Sequence, residues 1–147
     1  MSTRDRTPPG QAQTLRFELD LPHPPAKVWR ALTDPELLAQ WLLPAVGYEA
    51  RPDVEFTFQA PPQPGWNGMV HCRILAADEP TLLCYAWTVS ELDTVVTFAL
   101  APSDSGTRLT ITHDGFKPGQ GQNFAGAKYG WKLMAGRLTS LLETSQP

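Results

Sequence analysis

His113 is the side chain best suited to chemistry in this chain of 147 residues. It follows Leu109 and Ile111 at alternating positions, a strand pattern that turns all three side chains toward one apolar face. An imidazole on that face could bind a ligand or transfer a proton near neutral pH. The alternative is a histidine whose nitrogens are satisfied by neighbouring groups. His113 is therefore the best catalytic candidate, and whether it acts in catalysis stays open.

The other residue types that support catalysis or metal binding are not arranged for either task. His23 and His71 are isolated, and Cys72 and Cys84 belong to no C-x-x-C pair or Cys/His cluster with metal-ligand spacing. No serine or cysteine stands in a nucleophile motif, and the paired carboxylates fall in turns. We expect no metal and no cofactor. We expect the cysteines to be reduced thiols, with a pairing across neighbouring strands as the alternative.

Large aromatic side chains give a stronger signal than the titratable ones. They come from helices, strands and a proline-rich loop, and nearly all fall on the predicted inner face of their element. Rings that do not quite fill a curved sheet leave concave apolar space for a small molecule, although the same rings could simply form the core. The predicted ligand-binding residues are Trp41, Phe56, Phe58, Trp66, Tyr85, Trp87, His113, Phe124 and Trp131.

Composition narrows the class of partner. The formal charge is −3 with scattered lysines and arginines, which argues against nucleic acid. No apolar run approaches the roughly 20 residues of a membrane span, and the first residues have no signal-peptide core. We expect a cytoplasmic protein that does not contact a membrane. The length predicts one domain over residues 14–143, between tails at 1–13 and 144–147.

The elements that must position these residues can be read from hydrophobic periodicity. A strand over 14–21 precedes two short helices that begin near Pro25 and Pro35, and about six further strands run to Phe116. A final helix over 123–143 places Phe124, Trp131 and Leu138 on one stripe. Short turns make the strands antiparallel, and the single long helix must cover one face of the sheet. The prediction is an α+β helix-grip fold, with loops 61–68 and 117–122 as rims of a pocket.

Several segments resemble a known family in order and spacing. They are the run from Pro25 through Trp41 (Pro-x-x-Val-Trp-x-Ala-Leu-Thr-Asp-Pro-Glu-Leu-Leu-x-x-Trp), Leu83-x-Tyr85-x-Trp87, the run from Gly106 to Phe116, and Gly130-Trp131. Together they resemble the SRPBCC (START/Bet v 1-like) superfamily, and within it the branch named after the activator of heat-shock protein 90 ATPase. One departure is Pro52-Asp53-Val54, where that branch often has paired glycines, and it bears on the bend of the next strand.

Three functions are possible, the first suggested by the aromatic residues and the absence of a catalytic motif, the other two by the resemblance. The first is a binding protein for a small hydrophobic or aromatic ligand, held between the sheet and the last helix. The second is a cyclase- or hydrolase-like enzyme that uses the same cavity, with His113, Tyr85 and Arg73 as first candidates. The third, a co-chaperone or stress-response domain, ranks last because it rests only on the name of the branch. A homodimer is compatible with this fold. Because the branch shares His113 across members of differing function, a structural role is the preferred interpretation.

Overall fold

The computed structural model of the chain describes residues 13–62, 67–89, 92–117 and 121–144. One strand comes first, followed by two short helices, six strands and a long helix. In order, the elements are β1 (Gln13–Leu21), α1 (Pro25–Thr33), α2 (Pro35–Trp41), β2 (Ala45–Val46), β3 (Glu55–Gln59), β4 (Met69–Asp78), β5 (Leu82–Val89), β6 (Leu92–Ser103), β7 (Gly106–Phe116) and α3 (Gly121–Thr144). The predicted helix-grip architecture is confirmed, and the two-residue strand β2 is the element that periodicity did not predict.

All seven strands form one antiparallel sheet in the order β1-β7-β6-β5-β4-β3-β2. Burial alternates along the strands, so every second side chain of β4, β5 and β6 faces the core. This is the period-2 pattern of a sheet with one apolar face. Residues on that face line up across neighbouring strands, as in the row formed by Phe56, Cys72, Trp87 and Thr94.

The two short helices begin where their prolines predict. Pro25 and Pro35 stand in the first turns, where a missing N–H costs nothing, and the Asp34 carboxylate accepts the Glu36 backbone N–H at 2.9 Å. The Trp41 indole N–H then donates to the Ala31 carbonyl oxygen at 2.8 Å, which ties α2 to α1 within the core.

The segment before β3 keeps a bend even though it lacks the paired glycines of the family. Asp53 adopts φ = +70°, the left-handed region that glycine enters most easily and that aspartate tolerates better than most residues. The backbone N–H of Asp53 donates to Ile74 at 2.8 Å, and the N–H of Ile74 donates to Val54 at 2.9 Å. Asp53 therefore adopts the left-handed conformation without a glycine, and β3 enters the sheet beside β4.

Helix α3 is anchored by its second half. Trp131, Ala135, Leu138 and Leu142 are buried, as their helical spacing requires. In the first three turns, among the side chains described, Phe124 and Ala127 reach only partial burial. The predicted stripe is thus confirmed as the face turned to the sheet, and near its end Leu142 is buried while Leu141 is only partly buried. Among the described helices, none is long and apolar enough to cross a bilayer.

Candidate functional site

A β-bulge near the end of β7 turns Phe116 into the interior beside His113. Side chains alternate inward through Ile111 and His113, yet Phe116 is also buried, three positions after His113. The extra residue is Gly115 at φ = +107°, where a Cβ would lie 3.1 Å from the Asp93 carbonyl oxygen. A bulge with glycine at the strained position re-aims the chain in this way. The His113 and Phe116 rings consequently meet at a centroid distance of 4.6 Å.

His113 is held at both ring nitrogens. The Trp131 indole N–H donates to Nδ1 at 2.9 Å, and Nε2 lies 2.8 Å from the Thr94 hydroxyl oxygen. The Thr94 hydroxyl donates its single proton to the Trp87 carbonyl oxygen at 2.7 Å, so toward His113 it must accept. His113 is therefore the neutral tautomer protonated at Nε2. The bonds form one directed chain from α3 through β7 and β6 to β5.

This chain of hydrogen bonds is incompatible with an imidazolium. Protonation at Nδ1 would set a second N–H against that of Trp131, because neither nitrogen can then accept. Burial, which disfavours the charged form, lowers the pKa of His113 to about 4, and the neighbouring Asp114 carboxylate opposes that shift only in part. At neutral pH the imidazole is a neutral link between the helix and the sheet.

Most predicted ligand-binding residues lie in one connected aromatic network. Centroid distances run from 4.6 Å between His113 and Phe116 to 6.3 Å between Trp41 and Phe98, within the range of favourable edge-to-face and tilted contacts. Two rings outside the predicted set connect its parts, because Phe98 contacts Tyr85 and Trp131, while Phe116 joins His113 to Phe124. The predicted residues brought together are Trp41, Phe56, Phe58, Tyr85, Trp87, His113, Phe124 and Trp131.

The Tyr85 hydroxyl is the exception in this interior. Its side chain is 1% exposed and packed against Phe56, Phe58 and Phe98. The hydroxyl has no hydrogen-bond partner among the described residues, whereas the hydroxyl of Tyr48, which also contacts Phe56, donates to the Leu32 carbonyl oxygen at 3.2 Å. Burial raises the pKa of Tyr85 well above its usual value, so the phenol stays protonated.

Cys72 shares this interior but is no nucleophile. Burial raises the pKa of its thiol to about 12, and reactivity belongs to the thiolate. Cys84 lies on the other face of the sheet, where the Thr97 hydroxyl donates to its sulfur at 3.4 Å. Both cysteines are free thiols, as expected.

The remaining predicted residues lie elsewhere. Arg73 is exposed on the outer face of the sheet, 3.6 Å from the Asp53 carboxylate, and His71 is exposed on the same face. Trp66 lies outside the described residues, as do parts of both predicted rims. At the base of the first rim the Ala60 N–H donates to the Gly68 carbonyl oxygen at 2.7 Å. Across the described ranges, no cluster of histidine, cysteine and carboxylate side chains could hold a metal ion.

Besides Phe98, three residues of the site were not predicted from the sequence. Thr94 stands two positions before Val96 on the inner face, so the buried position of a hydroxyl could have been noticed. Phe116 could not, because the bulge at Gly115 breaks the alternation on which the prediction depends. Tyr48 lies in a connection between β2 and β3, where no periodicity applies.

The fold and site together define a helix-grip domain with an aromatic interior between sheet and helix. A family model described as activator of Hsp90 ATPase homolog 1-like protein matches residues 22–143. The chain belongs to this family, as the motifs in its first helices and in β7 predicted.

Solved structures agree with this assignment. Protein MLL2253 from Mesorhizobium loti is 33% identical, with 92% of this chain and 100% of that chain covered and a TM-score of 0.85. NE0264 from Nitrosomonas europaea is 25% identical, with 90% and 96% covered and a TM-score of 0.75. DynU16, a protein of the dynemicin biosynthetic locus, is 25% identical over 91% of this chain and 48% of its own, with a TM-score of 0.76. A comparison with curated proteins gave no match.

Proposed function

We propose that this protein binds a small aromatic or otherwise apolar molecule between the inner face of the sheet and α3. The observation that carries the proposal is the buried Tyr85 hydroxyl, which lacks a hydrogen-bond partner among the described residues. A buried hydroxyl left unsatisfied costs about 1–3 kcal/mol. A ligand that brings a hydrogen-bonding group to this position would recover that free energy.

The surroundings of Tyr85 define the chemical class of the ligand. Phe56, Phe58 and Phe98 present ring faces and edges to it, and none of them offers a polar atom. A flat apolar body with one hydroxyl or carbonyl group matches such an environment, because rings stack on rings while the single polar group fixes orientation.

The first turns of α3 are the element that would open to admit the ligand. Phe124 is half-buried and contacts Phe116 edge-on at 5.3 Å. Gly126 and Gly130 weaken these turns, since each glycine costs a helix about 1 kcal/mol relative to alanine. From Trp131 onward the helix is held by buried side chains and by the bond to His113. A helix whose first turns are weakly held, and which is anchored from Trp131 onward, is suited to act as a lid.

A panel of small molecules tests this function. The purified protein is screened by thermal shift and native mass spectrometry against naphthols, flavones, phenylphenols, steroids and fatty acids. We expect a subset of the ring compounds to raise the melting temperature and to appear as one-to-one complexes. A panel in which no compound stabilises or binds the protein would contradict the proposal.

Binding is favoured over catalysis by the state of His113. Both ring nitrogens are engaged, and a proton-transfer role would require Trp131 or Thr94 to release one of them. Catalysis by His113 would therefore require one of these hydrogen bonds to break, whereas ligand binding would not. His113→Asn separates the two, because loss of turnover of a bound compound, with its binding retained, would favour the enzyme.

A further inference from the structure

The outer face of α3 carries an apolar strip with cations on both sides. Tyr129 and Leu133, one turn apart, are 67% and 45% exposed and are neighbours on the helix surface. Helical spacing places Lys128 and Lys132 along one edge of the strip and Arg137 along the other. We call the surface formed by these five residues the α3 outer face.

The cations of this face differ from the arginines of the sheet and its loops. Arg16, Arg51, Arg73 and Arg108 each pair with a carboxylate at 2.7–3.6 Å. Lys128, Lys132 and Arg137 form no ion pair within the described part of the chain. From residue 121 to 142 the sequence of α3 contains these three cations and no acid, in a chain whose net charge is −3. Like charges at Lys128 and Lys132, four residues apart, also weaken the helix slightly.

A groove runs beside the strip where α3 passes α2. It has a volume of about 490 Å³ and is lined by Gln40 of α2 and by Leu133, Gly136, Arg137, Ser140, Leu141 and Thr144 of α3. Gly136 and Ser140 form a low floor, since a Cβ at Gly136 would meet nothing within 4 Å. Leu133 and Leu141 give the groove apolar walls, and Arg137 places a cation at its edge.

We propose that the α3 outer face and this groove bind an acidic amphipathic segment, most simply a helix, of a partner protein. Apolar side chains of the segment would lie over Leu133 and Gly136, as in other helix-in-groove complexes, and its carboxylates would meet Lys132 and Arg137. Charge complementarity selects this occupant over a second copy of the chain. Two copies packed face to face through α3 would oppose their own cations, which costs free energy.

The test uses two designed helical peptides with the same leucine stripe, one flanked by glutamates and the other by lysines. Binding to the full chain is followed by two-dimensional NMR and by titration at low and high salt. We expect the acidic peptide to bind, to shift amide signals of α3 and of Gln40, and to weaken with salt. We expect the basic peptide not to bind.

Charge-reversed variants show whether the proposed face is responsible. Lys132→Glu should weaken binding of the acidic peptide at least tenfold, whereas Arg51→Glu, which makes the same change in net charge at an exposed site outside α3 and the groove, should not. Equal binding by the two variants, failure of the acidic peptide to bind, or dimerisation of the free protein through α3 would each overturn the proposal. Small-molecule binding by Lys132→Glu should be unchanged, so this proposal and the proposed function fail separately.

Discussion

Tyr85 and Tyr48 both contact Phe56, and both carry a hydroxyl into the same interior. The Tyr48 hydroxyl donates to a backbone carbonyl, and the Tyr85 hydroxyl has no partner among the described residues. Removing a satisfied hydroxyl loses a hydrogen bond, whereas removing an unsatisfied one relieves a desolvation cost. The same substitution, tyrosine to phenylalanine, is therefore expected to change the unfolding free energy in opposite directions at the two positions.

Tyr85→Phe should stabilise the unliganded protein by about 1 kcal/mol, and Tyr48→Phe should destabilise it by a similar amount. Urea unfolding of the two variants beside the wild type measures both changes. Destabilisation of the same size in both variants would mean that the Tyr85 hydroxyl has a partner in the folded protein.

At the residue scale, His113 should also make the stability of the protein depend on pH. Its pKa is lowered from 6.5 to about 4 on folding, so between these values the unfolded chain binds a proton that the folded protein does not. Stability contributed by the neutral imidazole is complete above pH 6.5 and is lost as the pH falls toward 4, by about 3 kcal/mol in total.

Unfolding free energies measured from pH 7 to pH 4 test this. His113→Asn is expected to be less stable at pH 7 and to show a shallower decline than the wild type. His71→Gln, which changes an exposed histidine on the outer face, should follow the wild-type profile. If unfolding free energy varied with pH in the same way in the wild type and in His113→Asn, the neutral, hydrogen-bonded state of His113 would be contradicted.

At the scale of elements, regular hydrophobic periodicity was predicted from the sequence, and an interruption of that periodicity was not. Alternation in β4 to β7 and the helical stripe of α3 fixed which faces are buried, and the aromatic residues followed. The bulge at Gly115 shifts the phase of β7, so Phe116 turns inward against simple alternation. The hydrogen bonds that join Trp131, His113, Thr94 and Trp87 depend on three-dimensional contacts that no single-element pattern contains.

Gly115 should therefore be intolerant of a side chain. Gly115→Ala brings a Cβ to 3.1 Å from the Asp93 carbonyl oxygen and 3.3 Å from the Thr94 Cα, at a φ that L-residues rarely adopt. We expect a loss of about 2 kcal/mol or more in unfolding free energy. Gly136→Ala, an open helical position, should instead stabilise the protein by up to about 1 kcal/mol. Similar effects at both positions would contradict a strained bulge.

The first turns of helix α3 should control the rate of ligand association. Gly126 and Gly136 both have open surroundings for a Cβ, but only Gly126 lies in the turns proposed to open. Gly126→Ala should slow ligand association about fivefold, the factor equivalent to about 1 kcal/mol of added helix stability. Gly136→Ala should leave the association rate unchanged. Stopped-flow mixing with a fluorescent ligand from the panel measures the association rates of the two variants. Equal rates would contradict the proposal that the first turns of α3 act as a lid.

For the molecule as a whole, the fold and the family follow from the same pattern in the sequence. The order of elements agrees with the family match over residues 22–143, because both depend on the pattern of buried residues along the chain. Ligand identity leaves little trace in such patterns, since rings that fill a core and rings that border a ligand have the same periodicity. The distinction depends on details such as the partner of one hydroxyl.

The most direct test of the central claim is a fluorescence titration of wild type and Tyr85→Phe with paired compounds that differ by one hydroxyl, such as 2-naphthol and naphthalene, or 4-phenylphenol and biphenyl. If the ligand's polar group meets Tyr85, the hydroxylated member of a binding pair should lose about tenfold in affinity in Tyr85→Phe, equivalent to a hydrogen bond of about 1.4 kcal/mol. Its partner should bind both proteins equally. Equal affinity of the hydroxylated compounds for the two proteins, or no binding by any pair, would contradict the account.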